Sequence, residues 1–204
     1  MAVLALVLIA AWLLLAAGLR TLIQVRRTGE ASAPRFRDRP GSPQWWARLL
    51  SSVGFAFAVA APLAELAGLE PVGALDRGPV RAAGAALAVL GIAATLAAQL
   101  AMGASWRPDV DPDARTDLVT TGPFRLVRNP IFTATAATFT GLALLVPNLL
   151  AVAMLVAFVA ALQVQVRLVE EPYLQRVYGT AWERYAARTG RFLPWIGRRR
   201  EGAG

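Results

Sequence analysis

The sequence predicts an all-α integral membrane protein with about five transmembrane helices. Three observations predict it. Apolar residues make up 56% of the 204, charged ones only 17%, and the apolar ones gather in four long runs. A Pro147-Asn148 pair breaks the longest of these runs in its middle, as a helix-ending turn does. The arginines fall almost entirely in segments that five crossings would place on one side of a bilayer.

The first run, Ala2 to Leu19, carries no charge. At 1.5 Å per residue it reaches roughly 27 Å, close to the hydrocarbon thickness of a membrane. No basic residue precedes it, and Arg20, Arg26 and Arg27 follow, the pattern of an anchor and not of a cleaved leader. Leu49 to Leu69 is the second span, interrupted only by Pro62 and Glu65. Val80 to Ala104 is the third, rich in Ala and Gly, with Arg81 at its edge. Gly84 and Gly91 stand seven apart, so they share a helix face and permit close contact with another helix. Ile131 to Val166 is, at roughly 54 Å, too long for one crossing. The Pro147-Asn148 break turns it into a hairpin, 131–146 and 149–166.

All 21 basic residues are arginine, and the net charge is +8. Segments 26–48, 105–130 and 167–204 hold 6, 4 and 8 of them. Five crossings put these segments together, on the cytoplasmic side by the positive-inside rule, with the amino terminus outside and the carboxyl terminus cytoplasmic. Trp45, Trp46, Trp106 and Trp195 fall at span ends or in the same segments, as an interfacial aromatic belt does. The basic excess is thus topology, and the partner it implies is the lipid bilayer and no nucleic acid. The chain divides into 1–104, three helices with the loop 26–48 between the first two, and 105–204, where the polar motifs lie.

The sequence contains no histidine and no cysteine. That excludes an imidazole base, a thiol nucleophile, a disulfide and a thiolate or imidazole metal site. Asp109, Asp111 and Asp113 imitate the start of a calcium loop. The sixth position, however, is Ala114 where Gly is needed, and the twelfth is Thr120 where Glu should stand. No metal is expected.

Two segments set polar residues against a span end. The first is TTGPFRLVRNPIFTA, Thr120 to Ala134. Gly122-Pro123 punctuates the chain, Arg125 and Arg128 follow, and Asn129-Pro130 suits the N-cap and first position of the next helix. Two guanidinium groups at a helix start form either a capped helix with snorkelling arginines or a corner ready for a carboxylate or phosphate. In the second segment, Gln163 to Gly197, residues Gln163, Arg167, Glu170, Glu171 and Leu174 lie on one face of a helix leaving the membrane. A local Arg167–Glu171 pair is one expectation; the other is carboxylates that receive a cationic ligand while Arg167 receives an anionic one. Pro172 should kink this helix. A short amphipathic helix with Trp182, Tyr185 and Ala186 on one face follows, lying on the bilayer or roofing a site, and Gly190 should stop it.

GPFRLVRNPIFTA, followed about 40 residues later by EEPYLQRVYGTAWERYAARTGRFLP, resembles the isoprenylcysteine carboxyl methyltransferase family of integral-membrane enzymes. It is similar, more distantly, to the phospholipid N-methyltransferases. The resemblance covers roughly residues 99–197. It implies S-adenosylmethionine as methyl donor, bound between the two motifs by Gly122, Arg125, Arg128, Asn129, Pro130, Phe132, Glu170 and Glu171. It further implies Arg167 and Glu171 as catalytic residues, with Arg167 holding the polar group of a lipophilic or lipid acceptor. Asn129 and Phe132 stand where the family carries His and Tyr. Methyl transfer from a sulfonium is a direct displacement that proceeds by proximity and electrostatics, so a chain without His or Cys can perform it. A scaffold of the same fold without turnover, and a sterol-reductase-like enzyme binding NADPH, are the alternatives.

Overall fold

The computed structural model describes residues 1–28, 38–103 and 117–199. Asp109, Asp111, Asp113 and Trp106 lie outside the described residues. Helix α1 (Ala2–Trp12) continues through a π-helical stretch, Leu13–Leu19, into α2 (Arg20–Thr28). Then come α3 (Pro43–Leu66), α4 (Gly78–Ala101), α5 (Pro130–Leu145) and α6 (Leu149–Val164). A second π-helical stretch, Gln165–Glu170, leads into α7 (Glu171–Tyr178), and α8 (Thr180–Arg188) follows. Among the described residues there is no strand, only an isolated parallel bridge between Val127 and Gly190.

Among the described residues, four helical stretches are long and apolar enough to cross a membrane: Ala2–Ile23, Pro43–Leu66, Gly78–Ala101 and Leu149–Tyr178. Pro130–Leu145 is apolar but shorter. The helix that makes the last crossing therefore continues to Tyr178, past the apolar run that ends at Val166. Large apolar side chains point away from the bundle all along it, Val7, Leu14, Leu90, Val156 and Val159 among them. Such a surface suits lipid and not water.

Two devices hold the bundle together. The first is the absence of side chains between α4 and α5. A Cβ on Gly84 would stand 2.7 Å from the Gly141 carbonyl oxygen, and one on Gly91 would stand 2.6 Å from the Thr138 amide. A Cβ on Gly141 would collide with the Ala88 amide. Gly84 meets the end of α5 and Gly91 its middle, so the two helices are antiparallel in backbone contact, and α5 spans between the two ends of the bundle. The second device is aromatic. Phe139 of α5 stacks on Phe158 of α6 at 3.9 Å and 26°, and Trp12 of α1 meets Phe139 edge-on at 5.3 Å. Phe158 in turn lies over Gly54 of α3. Leu8, Ile9, Ala58, Ala61, Ile92, Leu142 and Met154 fill the space around them.

Each end of the bundle has its own polar fastening. At the first, Asn148 is fully buried at the hairpin turn. Its Oδ1 accepts from the Ala151 amide, capping α6, and its Nδ2 donates to the Ala61 carbonyl of α3. The Arg81 guanidinium donates to Glu65, Asp76 and the Leu145 carbonyl, and the Met1 amine lies 3.9 Å from Glu65. The amino terminus, the α3–α4 loop and the hairpin turn thus share one end. The described parts of the arginine-rich segments share the other, as the crossing count requires.

Because Gly141 fits only without a side chain, G141A should lower stability by about 1–3 kcal/mol through overpacking. G73A, at a loop position where a Cβ meets nothing within 4 Å, should leave the melting curve in detergent unchanged. Equal melting of the two variants would contradict the backbone contact.

Candidate functional site at the arginine-rich end

Gly122 adopts φ +58°, which favours glycine, and starts a 3₁₀ turn, Gly122–Arg125. The turn buries Phe124 and leaves Arg125 exposed. Arg128 and Asn129 then enter the interior together, at 5% and 8% exposure, before Pro130 opens α5. They do so because the chain pairs there with the carboxyl-terminal segment. The Arg128 amide donates to the Gly190 carbonyl at 2.8 Å, and the Asn129 amide to the Arg191 carbonyl at 3.2 Å. Asn129 occupies the N-cap position, but its side chain makes no cap bond; Nδ2 donates to the Arg191 carbonyl instead. The Arg191 carbonyl thus accepts from both the backbone amide and the side chain of Asn129, which draws the side chain away from the cap.

The charged side chains converge on Glu171, which is 3% exposed. Arg128 Nη2 donates to its Oε1 at 2.7 Å. Arg191 donates from Nε to Oε1 and from Nη2 to Oε2, both at 2.8 Å, a bidentate fork. Arg128 Nη1 also donates to the carbonyls of Ala186 and Thr189, and Nη2 to that of Gly197. The Trp182 ring covers the same guanidinium, its centroid 5.6 Å from Cζ. The carboxylate and the Arg128 guanidinium are thereby buried, and Arg191 half-buried, with nearly all the hydrogen-bonding capacity of the buried pair used. Arg128 Nε is the exception: it is buried and has no partner.

Tyr185 of α8 closes the assembly by donating to the Phe124 carbonyl at 2.7 Å. Burial pushes its phenol above the usual value, although the Arg128 charge opposes this. Hydrogen bonds to Glu171 raise the Arg191 guanidinium still further into its charged form. The buried face of α8, with Trp182, Tyr185 and Ala186, therefore roofs Arg128 and does not rest on lipid. Gly190 stands just beyond the helix end, but space is what selects glycine there. Its φ is not positive, and a Cβ would collide with the Leu193 carbonyl oxygen.

Sequence spacing put Arg167 and Glu171 on one helical face, and the structure separates them. The chain is π-helical over Gln165–Glu170, and the wider turn moves residues four apart out of register. Arg167 is exposed and its Nε donates to Gln163 Oε1 at 2.6 Å, while Glu171 turns inward to Arg128 and Arg191. The same widened turn leads directly into Pro172, which has no amide to offer. Glu170 is half-buried and accepts from Gln165 Nε2 at 3.1 Å. Phe132 is half-buried in the first turn of α5. The structure thus joins Arg128, Asn129 and Glu171 around the carboxyl-terminal segment and leaves Arg125 and Arg167 on the surface. Among the described residues no group of three or more His, Cys, Asp or Glu could hold a metal ion.

Arg191 and Thr133 were not singled out from sequence, yet both fix the site. Thr133 Oγ1 donates within reach of two carbonyls, Asn129 at 3.0 Å and Phe192 at 2.9 Å. One signal for Arg191 was available. A glutamate buried at a membrane exit needs cations, and Arg191 lies in the RTGRFLP tail beside it.

Residues 80–181, half of the chain, match the phospholipid methyltransferase family. The matched stretch contains the Thr120–Ala134 segment and both adjacent glutamates. No curated protein matches the chain.

E171Q leaves the buried Arg128 guanidinium and the half-buried Arg191 guanidinium without their anion and should cost about 3–5 kcal/mol. R167Q, at an exposed pair, should cost less than about 1 kcal/mol, and thermal unfolding in detergent separates the two. Tyr185 carries a raised folded-state pKa, so its contribution is complete below about pH 10, the unfolded value, and fades as pH rises above that. Near-ultraviolet dichroism of the tryptophans should therefore hold past pH 10 and change only well above it in the native chain. It should not change in the same way in Y185F.

Proposed function

Because the chain belongs to the phospholipid methyltransferase family, we propose that it transfers a methyl group from S-adenosylmethionine to the polar head of a lipophilic acceptor. The observation that supports this most is the meeting of Arg128 and Glu171 at one end of the bundle. They come from the two polar segments that the family match spans, 43 residues apart. In this reading residues 105–204 are the catalytic region and 1–104 its membrane support. The arginine-rich end is cytoplasmic, and the amino terminus faces outside, by the positive-inside rule.

The donor set fits the cofactor. S-adenosylmethionine presents a carboxylate, an ammonium and a sulfonium, so it needs both a cation and an anion. Arg125 and the unpartnered Arg128 Nε supply the first, and the half-buried Glu170 carboxylate supplies the second. Gly122, Asn129, Pro130 and Phe132 shape the wall on which these groups sit. The bound cofactor supplies an electrophilic methyl group that a positioned acceptor attacks directly.

The remaining roles belong to side chains. Glu171 is a positioning residue: both its oxygens are held by arginines, and it fixes Arg128 and the tail relative to α7. Trp182 and α8 exclude water above Arg128. Arg167, exposed at the membrane exit, attracts the acceptor's carboxylate or thiolate, or the phosphate beside a headgroup amine, as the acceptor arrives from the bilayer. The motif resemblance favours an isoprenylcysteine carboxyl methyltransferase-like enzyme among these. A scaffold without turnover is the second reading. Asn129 favours it, because its amide is engaged with the Arg191 carbonyl.

Calorimetry with S-adenosylmethionine and the protein in lipid nanodiscs tests this reading. R125Q and E170Q should each weaken binding about tenfold, equivalent to about 1.4 kcal/mol, and R125Q, at an exposed position, should leave melting unchanged. Absence of binding to the native chain would overturn the enzyme reading in favour of the scaffold. Binding that neither substitution weakens would place the cofactor elsewhere.

A further inference from the structure

The segment beyond the Glu171 clasp has a surface that the site does not use. Residues Leu193, Trp195 and Ile196 are exposed at 53%, 74% and 63%. They sit on a tight loop closed by two backbone bonds: Arg191 amide to Ile196 carbonyl at 2.8 Å, and Ile196 amide to Leu193 carbonyl at 3.2 Å. Trp195 has φ +65°, a left-handed conformation rare for a bulky residue. The loop thus holds three large apolar side chains outward on a rigid frame at some conformational cost.

The depth of this loop is fixed by its neighbours. The Phe192 carbonyl accepts from Thr133 Oγ1, in the first turn of α5, where the chain enters the apolar bundle. The Arg191 carbonyl accepts from Asn129, at the start of the same helix. The apolar tip therefore stands level with the entry of a membrane-crossing helix, where headgroups give way to hydrocarbon. Immediately after it come Arg198 and Arg199, both exposed. An indole, two aliphatic side chains and adjacent arginines match the chemistry of an anionic lipid interface.

We propose that the Leu193–Ile196 loop inserts into the interface of the arginine-side leaflet, and that Arg198 and Arg199 bind its anionic headgroups. The loop is the other end of the Glu171 clasp: Arg191 holds Glu171 through its side chain and closes the loop through its amide. Bilayer contact with the tip thereby steadies the segment that holds Arg128. Nothing here depends on methyl transfer.

The absence of native cysteine allows a clean probe. L193C, at an exposed position, is labelled with an environment-sensitive fluorophore and placed in nanodiscs. These contain phosphatidylcholine alone or mixed with phosphatidylglycerol. The expected result is blue-shifted emission, quenched by lipids carrying a spin label near the headgroup more than by lipids labelled at the chain end. Quenching should be stronger with phosphatidylglycerol, and R198Q with R199Q should abolish that increment. Water-like emission quenched by aqueous iodide would overturn the insertion. So would a blue shift lost when each nanodisc holds a single copy, which would mean self-association. Quenching indifferent to phosphatidylglycerol would overturn the headgroup role of the arginines.

Discussion

Glu171 carries its carboxylate at the point where the last long helix leaves the membrane, only 3% exposed. An ionised group in that position costs several kcal/mol unless cations and hydrogen bonds surround it. Two guanidinium groups do so, one from the loop before α5 and one from the carboxyl-terminal segment. Satisfying one charge therefore ties together three parts of the chain that are distant in sequence. Arg128 brings a second requirement, because a buried guanidinium has more donors than one carboxylate can serve. The carbonyls of Ala186, Thr189 and Gly197 answer it, which in turn fixes where α8 ends and how the tail bends.

The membrane part obeys a different rule. With lipid on the outside, apolar side chains gain little by facing inward, so contact between helices comes from close approach. Gly84, Gly91 and Gly141 allow α4 and α5 to touch along their backbones, and the stacked Phe139 and Phe158 connect α5 to α6. Polar groups fasten the two ends. Asn148 and Arg81 fasten one, and the Glu171 clasp fastens the other.

Periodicity and composition revealed what depends on local chemistry. The spans, the turn at Pro147-Asn148, the facing pair Gly84 and Gly91 and the grouping of most described arginines at one end all follow from nearest neighbours and residue type. The candidate site was legible only in its ingredients. Arg128 and Glu171 stood out as polar residues beside span ends, but nothing in the spacing pairs residues 43 positions apart. The i, i+4 rule joined Arg167 to Glu171, and a π-helical turn set that rule aside. Asn129 read as a helix cap until the tail offered its side chain a different acceptor. Arg191 was hidden for the same reason, since its partner lies on another element.

The clasp and the family together support the proposal that an Arg–Glu–Arg core organises a methyl-transfer site at the arginine-rich end of the bundle. One measurement bears on this most directly. Purified protein in nanodiscs is incubated with native lipid extract and S-adenosylmethionine carrying an isotopically labelled methyl group, and the lipids are then read by mass spectrometry. The account predicts a lipid species that gains the labelled methyl with the native chain and not in its absence. A lipid profile without any labelled species, from protein shown to bind the cofactor, would contradict it.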